Sequence, residues 1–443
     1  MKKTLLPLLV AAAFPFTTTE AQASAFALAE QGVSGLGNAY AGSAAAAEDA
    51  STVWWNPAGM SRLGSGSHLA LAGFAIMPST KFNQGTGTTA ALGQAAGGNG
   101  GDAGSTAFVP NVFFAMELNQ QWSVGVGVNV PFGLKTEYDD NWVGRFQGIK
   151  SEVKTTNINP SVSYKISNTA SVGFGVSWQH GEIDLVSGAN YTAAGAAAGV
   201  PTPAGTEGRN TTNLTGDAWG FNVGALFDLT PATRLGLHYR SSLDYELKGT
   251  TSFSNVPAAF AGNAALAVGT SAGDVKLDLK TPATASVSVA HKLNNSMELL
   301  GDITWTEWSK ISQLPLVRTS GPGAGRAVDT LVFNFDDTWR ISAGLNYKYS
   351  GPWTLKAGVA YDQSPVPNAA TRSVRLPDND RYWLSLGATY KVSQASRLDF
   401  GYSYVMIKDA DINNNQAAAG RGAVVGTYEA NVHVFGVQYQ HSF

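Results

Sequence analysis

The sequence predicts an all-β protein: a transmembrane antiparallel β-barrel of about fourteen strands with a small N-terminal hatch inside its lumen. Three observations predict it. Charged residues make up only 14% of the 443-residue chain, well below the roughly 25% of ordinary globular proteins. Glycine (50) and aromatics (10%) are abundant, yet beyond the N-terminus there is no apolar run of the roughly eighteen residues that a membrane helix needs. From Ser67 onward, apolar and polar residues alternate with period two, and short turns alternate with long loops. That is the pattern of a barrel whose two faces meet lipid and lumen.

The elements follow in chain order. Lys2 and Lys3 precede an apolar stretch from Leu5 to Ala13, and Ala21-Gln22-Ala23 is a small-x-small cleavage pattern, so residues 1–23 read as a secretion signal. A mature chain is expected to begin at Ser24. Residues 24–66, with Gly32-Val33-Ser34-Gly35-Leu36-Gly37-Asn38-Ala39-Tyr40-Ala41-Gly42 and Asn56-Pro57-Ala58-Gly59, hold too few large side chains for a core of their own. They read as a plug packed within something larger.

Residues 67–443 read as the barrel. Tyr382, Leu384, Leu386, Ala388 and Tyr390 alternate with Arg381, Ser385, Gly387 and Thr389. Trp353, Leu355, Ala357, Val359 and Tyr361 alternate with Thr354, Lys356 and Gly358, and Leu398, Phe400, Tyr402 and Tyr404 with Asp399, Gly401 and Ser403. Aromatics near the ends of an apolar face suit the two membrane interfaces. Short turns are expected near 118–121, 166–169, 229–232, 293–296, 349–352 and 392–395. Long loops are expected near 79–104, 136–150, 187–213, 250–274, 312–328, 364–379 and 409–425. Phe435, Val437, Tyr439, His441 and Phe443 share one face of a closing strand. An even strand count leaves both ends in the periplasm.

Composition also excludes functions. Cysteine is absent, which removes thiol catalysis and thiolate metal sites. Net charge is −3 with no basic block, so nucleic acid is not an expected partner. The six histidines (His68, His180, His238, His291, His433, His441) form no close ligand pair, and Gly321-Pro322-Gly323-Ala324-Gly325-Arg326 lacks the Lys-Ser/Thr of a phosphate loop. Neither catalysis nor a cofactor or metal is expected.

The stretch Ser24-Ala25-Phe26 through Gly42, then Glu48-Asp49-Ala50 and Asn56-Pro57-Ala58, resembles the mature N-terminus of the FadL family of outer-membrane transporters for long-chain fatty acids and related hydrophobic compounds. Trp305-Thr306-Glu307-Trp308-Ser309, Ser364-Pro365-Val366-Pro367, Pro377-Asp378, Asp380-Arg381 and Trp383-Leu384 are similar to further family segments in the same order. The resemblance implies capture of ligand among extracellular loops, and a luminal pocket lined by Phe26 and Leu28. It also implies a hatch that rearranges, and lateral release through a gap at a kinked third strand beside Asn56, Pro57 and Ala58. The third strand's own residues permit a break, because Gly127 weakens a ladder and Pro131 cannot donate to one.

Burying a methylene is worth about 0.8 kcal/mol, so a dozen in an acyl chain supply on the order of 10 kcal/mol before association costs. The tail can therefore bind without a dedicated carboxylate partner. Where relatives are expected to place cations, this chain has Glu182 and Asp184, and Asp336 and Asp337. That favours neutral substrates or a different cation, with Arg240, Arg340 and Lys356 as candidates. Trp178 and Trp219 complete the candidate substrate-binding set. The expected partners are a long-chain fatty acid or hydrophobic small molecule, and the lipids and lipopolysaccharide around a monomer. Uptake of neutral hydrocarbons (monoaromatics, alkanes) is the alternative, and a general porin the more distant one.

Overall fold

The computed structural model describes residues 25–443; the signal expected over 1–23, and Ser24, lie outside them. Fourteen antiparallel strands run from Ser67–Gln84 to Ala423–Ser442. The first and last pair from His68↔Ser442 to Gln84↔Gly426 and close the cylinder, so neither terminal strand is left as a free edge. The six expected turns join strands at Glu117 to Trp122, Lys165 to Ala170, Thr230 to Thr233, Lys292 to Met297, Ser350 to Trp353 and Lys391 to Ser396.

Several strands run further outward than expected. The fifth and sixth, Ala170–Asn190 and Glu207–Thr230, stay paired to Asn190↔Glu207. The last two stay paired to Asn415↔Ala423. Period-two alternation with polar residues on both faces hides such extensions, because a ladder outside the bilayer needs no apolar face. The expected loop near 312–328 contains a further hairpin, Gln313–Arg318 with Ala327–Val332, above the ninth strand.

Face assignments follow the alternation. Tyr382, Leu384 and Leu386 are 48–58% exposed, whereas Arg381 and Ser385 are buried in the lumen. Phe435, Val437, Tyr439 and Phe443 face outward, and the Phe443 amide donates to the Ser67 carbonyl (2.8 Å), tying the last residue to the start of the first strand. Residues 25–66 fill the lumen as short helical turns, Val33–Leu36, Ser43–Ala46, Thr52–Trp55 and the 3₁₀ segment Pro57–Arg62.

Candidate binding lumen and lateral gate

The third strand is interrupted. It runs Trp122–Asn129, breaks at Val130-Pro131-Phe132, and resumes as Gly133–Glu137. Below the break it pairs with the second strand only from Glu117↔Ser123 to Val112↔Val128. Above it, Gly133–Glu137 pairs with the fourth strand alone, while Ala107–Asn111 pairs with the first strand alone. Two strand edges therefore face each other unpaired, forming a window in the barrel wall. Its upper rim is Ala103, whose amide donates to the Thr80 carbonyl (2.8 Å) and whose carbonyl accepts from the Glu137 amide (3.1 Å). Pro131 lies in the break. Gly127 does not: it stays in register with Phe113, whose ring would lie 2.8 Å from a Cβ there. Gly127 makes room for a side chain instead of weakening the ladder, which corrects its assignment to the kink.

The start of the hatch seals the window from inside. Ala27 bridges antiparallel to Phe132, the Leu28 amide donates to the Pro131 carbonyl, and the Gly133 amide donates to the Phe26 carbonyl (both 2.8 Å). Gln31 Nε2 donates to the Val130 carbonyl (2.9 Å) and Asn111 Nδ2 to the Glu30 carbonyl (2.7 Å). Residues 26–31 thus act as a short added strand, taking up backbone groups that the second strand leaves unpaired; an unpaired buried group costs about 1–3 kcal/mol.

Phe26 projects from this strand into the larger apolar cluster of the lumen. Its ring lies 5.6 Å from Phe132 and 5.0 Å, edge-on, from Trp308, among Ile183, Tyr245, Leu247 and Leu279. The space beside it is about 10 Å³, far below the roughly 300–1,000 Å³ of a small-molecule site. A long chain therefore fits only when Phe26 moves. Leu28 belongs to a separate cluster with Phe74, Val109 and Val130 at the window. Phe26→Ala should weaken binding of a long-chain ligand by roughly 10–100-fold, the loss of about 1.5–3 kcal/mol of aromatic burial, measured by equilibrium binding to the purified protein.

The three candidate cations hold the hatch. Arg240 stacks on Trp54 (3.5 Å to the ring centre) and donates to the Trp54 carbonyl and Ser177 Oγ (both 3.0 Å). Arg340 donates to the Ala39 carbonyl (2.8 Å). Lys356 donates to the Ser34 carbonyl (2.8 Å) and pairs with Glu48 at 2.5 Å. None is among the residues that line the space beside Phe26.

Glu182 and Asp184 point outward. Their side chains are 53% and 38% exposed, in an ionic patch with His180 and Lys150 on the outer face. The inward positions between and beside them are Ile183 and Leu185; Glu182 borders the space beside Phe26, while both carboxylates are held in the outer ionic patch. Asp336 and Asp337 sit in the turn before the tenth strand, where Asp337 Oδ1 accepts the Ser309 amide (3.0 Å). Trp178 and Trp219 are also corrected. They face each other across the fifth and sixth strands on the lipid side, and Trp219 is 69% exposed. Ser177 and Gln179 take the luminal positions, and parity alone sends Trp178 outward.

Asn56-Pro57-Ala58 is not beside the window. Asn56 Nδ2 donates to the carbonyls of Ala44 (2.7 Å), Ala225 (3.0 Å) and Leu237 (3.3 Å), and Asn56 Oδ1 accepts the Ala58 amide (3.1 Å). The turn is seated against the fifth to seventh strands. Its closest approaches fall at luminal glycines, where a Cβ would lie 2.3 Å from the Ala58 nitrogen at Gly173 and 1.9 Å from Asn56 Oδ1 at Gly224. The same device recurs around the lumen: Gly236 under Ala44, Gly358 under Asn38, Gly387 under Gly37, and Gly401 and Gly436 under Leu36. Missing side chains on the barrel wall make the seat of the hatch.

The hatch also carries backbone strain. Ala25, Ala39, Tyr40 and Ala47 have φ between 48° and 57°, against two such non-glycine residues elsewhere among the described residues, Asn255 and Asn334. Each costs on the order of 1–2 kcal/mol. Glu30 is fully buried, and burial pushes its carboxyl from 4.5 to about 7, despite nearby Arg381 and Arg340. A folded-state value above the ordinary one means that the seated hatch is favoured below pH 4.5, and that this contribution is lost as pH rises through about 7. Amide protection factors over residues 25–66, corrected for the intrinsic pH dependence of exchange, should therefore be higher at pH 5 than at pH 8, and Glu30→Gln should flatten the difference.

On the extracellular side, an open groove of about 670 Å³ is lined by Leu92, Tyr191, Ala194, Ala197, Ala417 and Ala418 among others. The helix Tyr191–Ala198 packs there with Phe260 and Leu266, so the Ala/Gly-rich loops around 193–200 and 256–272 are ordered and apolar.

Residues 14–443 match the family described as outer membrane protein transport protein (OMPP1/FadL/TodX). The chain belongs to this family. Among its relatives is a long-chain fatty acid transport protein of Escherichia coli K12, 31% identical over 459 residues and 98% of each chain. Outer membrane protein P1 of Haemophilus influenzae is 30% identical over 469 residues, again 98% of each. A crystal structure of a Pseudomonas aeruginosa FadL homologue superposes with a TM-score of 0.85 at 26% identity, covering 95% of this chain and 100% of that one. The Ralstonia pickettii toluene transporter TbuX shares the fold (TM-score 0.66, 20% identity, 94% and 99% covered). As an OMPP1/FadL/TodX protein, the chain resides in the bacterial outer membrane.

Sequence reasoning missed four luminal residues of this family member: Glu30, Gln31, Asn111 and Trp383. Parity would have found Trp383, two positions from inward Arg381 and two from inward Ser385. Nothing local marks Asn111, whose partners lie 80 and 81 residues away.

Proposed function

We infer that this protein carries long-chain fatty acids and related hydrophobic compounds across the outer membrane by passive transfer, as a monomer and without catalysis. Ligand is captured in the alanine-lined extracellular groove and passes into the cluster around Phe26. It leaves sideways through the third-strand window when residues 26–31 withdraw. The observation that carries the reading is the window itself: an apolar luminal cluster stands behind a wall opening that residues 26–31 of the hatch close from inside. The Escherichia coli relative's name supports fatty acids as cargo. The absence of any cation from the Phe26 wall supports a second class, neutral hydrocarbons, because the tail alone supplies the affinity there.

Mass spectrometry of molecules copurifying with the protein, together with uptake by cells expressing it, tests the reading. Bound acyl chains or hydrocarbons and uptake dependent on the protein are expected. No apolar ligand and no uptake of oleate, alkanes or monoaromatics would overturn it.

A further inference from the structure

The eleventh and twelfth strands, Trp353–Asp362 and Arg381–Lys391, are only 10 and 11 residues long, against 21 in the fifth and 20 in the thirteenth. The loop between them, residues 363–380, therefore leaves the wall low and turns into the barrel. On its near side the Asn413 amide donates to the Ala369 carbonyl (2.8 Å) and Asn414 Nδ2 to the Arg372 carbonyl (3.0 Å). On its far side Thr136 Oγ1 donates to the Arg375 carbonyl (3.1 Å) and the Tyr138 hydroxyl to the Val374 carbonyl (2.7 Å). Arg375 Nη1 donates to Ser151 Oγ (2.9 Å) and to the carbonyls of Lys150 (3.0 Å) and Val186 (3.4 Å). The fifth strand, which carries Val186, stands opposite the twelfth in the ring. The loop thus spans the lumen as a strap.

The strap lies between two apolar spaces. Along the fifth strand, inward Ile183 and Leu185 belong to the Phe26 cluster, whereas Ser187 and Ala189 line the extracellular groove. The change comes within one pair of positions, about 7 Å, and Arg375 is fastened at Val186 between them. Val366 and Leu376 of the strap join the Phe26 cluster, while Val374 packs with Phe82, Tyr138 and Trp142 in a separate one. Val374, Arg375 and Leu376 are all at most 5% exposed, so the strap is packed interior. Val328 both lines the groove and packs against the Phe26 cluster, which puts the way between the two spaces beside the strap.

We propose that residues 363–380 form an outer gate between the groove and the Phe26 cluster, with Arg375 as its clasp. The proposal rests on the transport reading above and adds a step to it before the window. A ligand leaving the groove must displace Leu376 before it reaches Phe26, and the window segment can stay closed while it does so. Arg375 suits a clasp that lets go. Its guanidinium bonds reach only neutral acceptors, so release strands no buried carboxylate, the costly part of breaking an ion pair.

Gly148→Cys with Val374→Cys tests the gate, because a Cβ at position 148 would lie 3.3 Å from Val374 Cγ2, within reach of a disulfide. Oleate uptake by cells expressing the full chain should fall more than about tenfold on oxidation, since opening would no longer be an equilibrium, and a reductant should restore it. Equal uptake in both redox states, with the disulfide formed, would overturn the gate and leave the transport reading standing. No oleate uptake by the wild type would overturn both. Arg375→Met, which keeps the stem and removes the clasp, is the second variant and decides if the cysteine pair does not fold. Amide exchange over residues 363–380 should rise at least about tenfold at unchanged pH, as loss of one charged hydrogen bond implies, with uptake retained. Unchanged exchange, or loss of uptake by a variant whose thermal unfolding matches the wild type, would overturn the clasp.

Discussion

Ala27→Cys with Phe132→Cys, introduced together, should abolish uptake of hydrophobic substrate under oxidising conditions, and a reductant should restore it. The two positions are antiparallel bridge partners across the window. Such partners have Cα atoms about 4.5–5.5 Å apart, within the range a disulfide accepts. The chain has no cysteine of its own, so no other pairing competes. The bond would hold residues 26–31 in the wall and keep Phe26 in its cluster, where the free space is too small for a long chain. A drop of more than about tenfold is expected because closure would no longer be an equilibrium. Phe132 also lines the pocket, so the comparison that decides is the oxidised against the reduced double variant, with Phe132→Cys alone as control. Uptake equal in both redox states would rule out withdrawal of this segment as the gate.

Gly358→Val should have the second large effect, converting a plugged barrel into an ion-conducting one. A Cβ at Gly358 would lie 2.2 Å from the Asn38 carbonyl carbon and 2.3 Å from its oxygen. Both are backbone atoms of the hatch and cannot swing aside as a side-chain tip would. Overpacking of this kind typically costs 1–3 kcal/mol when neighbours adjust. Here the neighbour is a segment that already carries left-handed Ala39 and Tyr40 and is held by polar contacts with Arg340, Asn346 and Lys356. The strand itself should survive, since position 358 stays paired with Gly344 and Ser385 and valine suits a ladder. Planar-bilayer conductance should rise at least severalfold over the wild type. An unchanged, closed barrel would show that the glycine seat does not hold the hatch.

The barrel was legible because its cause is repeated. Every strand must present one face to lipid and one to the lumen, and the period of two is visible wherever the strand lies within the bilayer. The turns were legible for a related reason, being short breaks between two such runs. The same rule, applied strictly to the fifth strand, places Trp178 outward, and Glu182 and Asp184 with it. Those assignments failed where a residue's chemistry was weighed ahead of its parity. The strand extensions beyond the bilayer were not legible, since alternation there separates no lipid from lumen.

By itself, the sequence determined the class, the strand directions, the break at Pro131 and the need of residues 24–66 for walls they cannot make. Period, proline and side-chain poverty are local properties, and each acts through the few residues that carry it. Only the tertiary structure decided what closes the break and what the cations do. Gln31 meets Val130 across 99 residues, Lys356 meets Ser34 across 322, and Arg340 and Arg381 face Glu30 only once the cylinder has closed around the hatch. Contacts of that range depend on how fourteen strands are staggered around a common axis. The stagger is a property of the closed barrel, and no single stretch of the chain carries it.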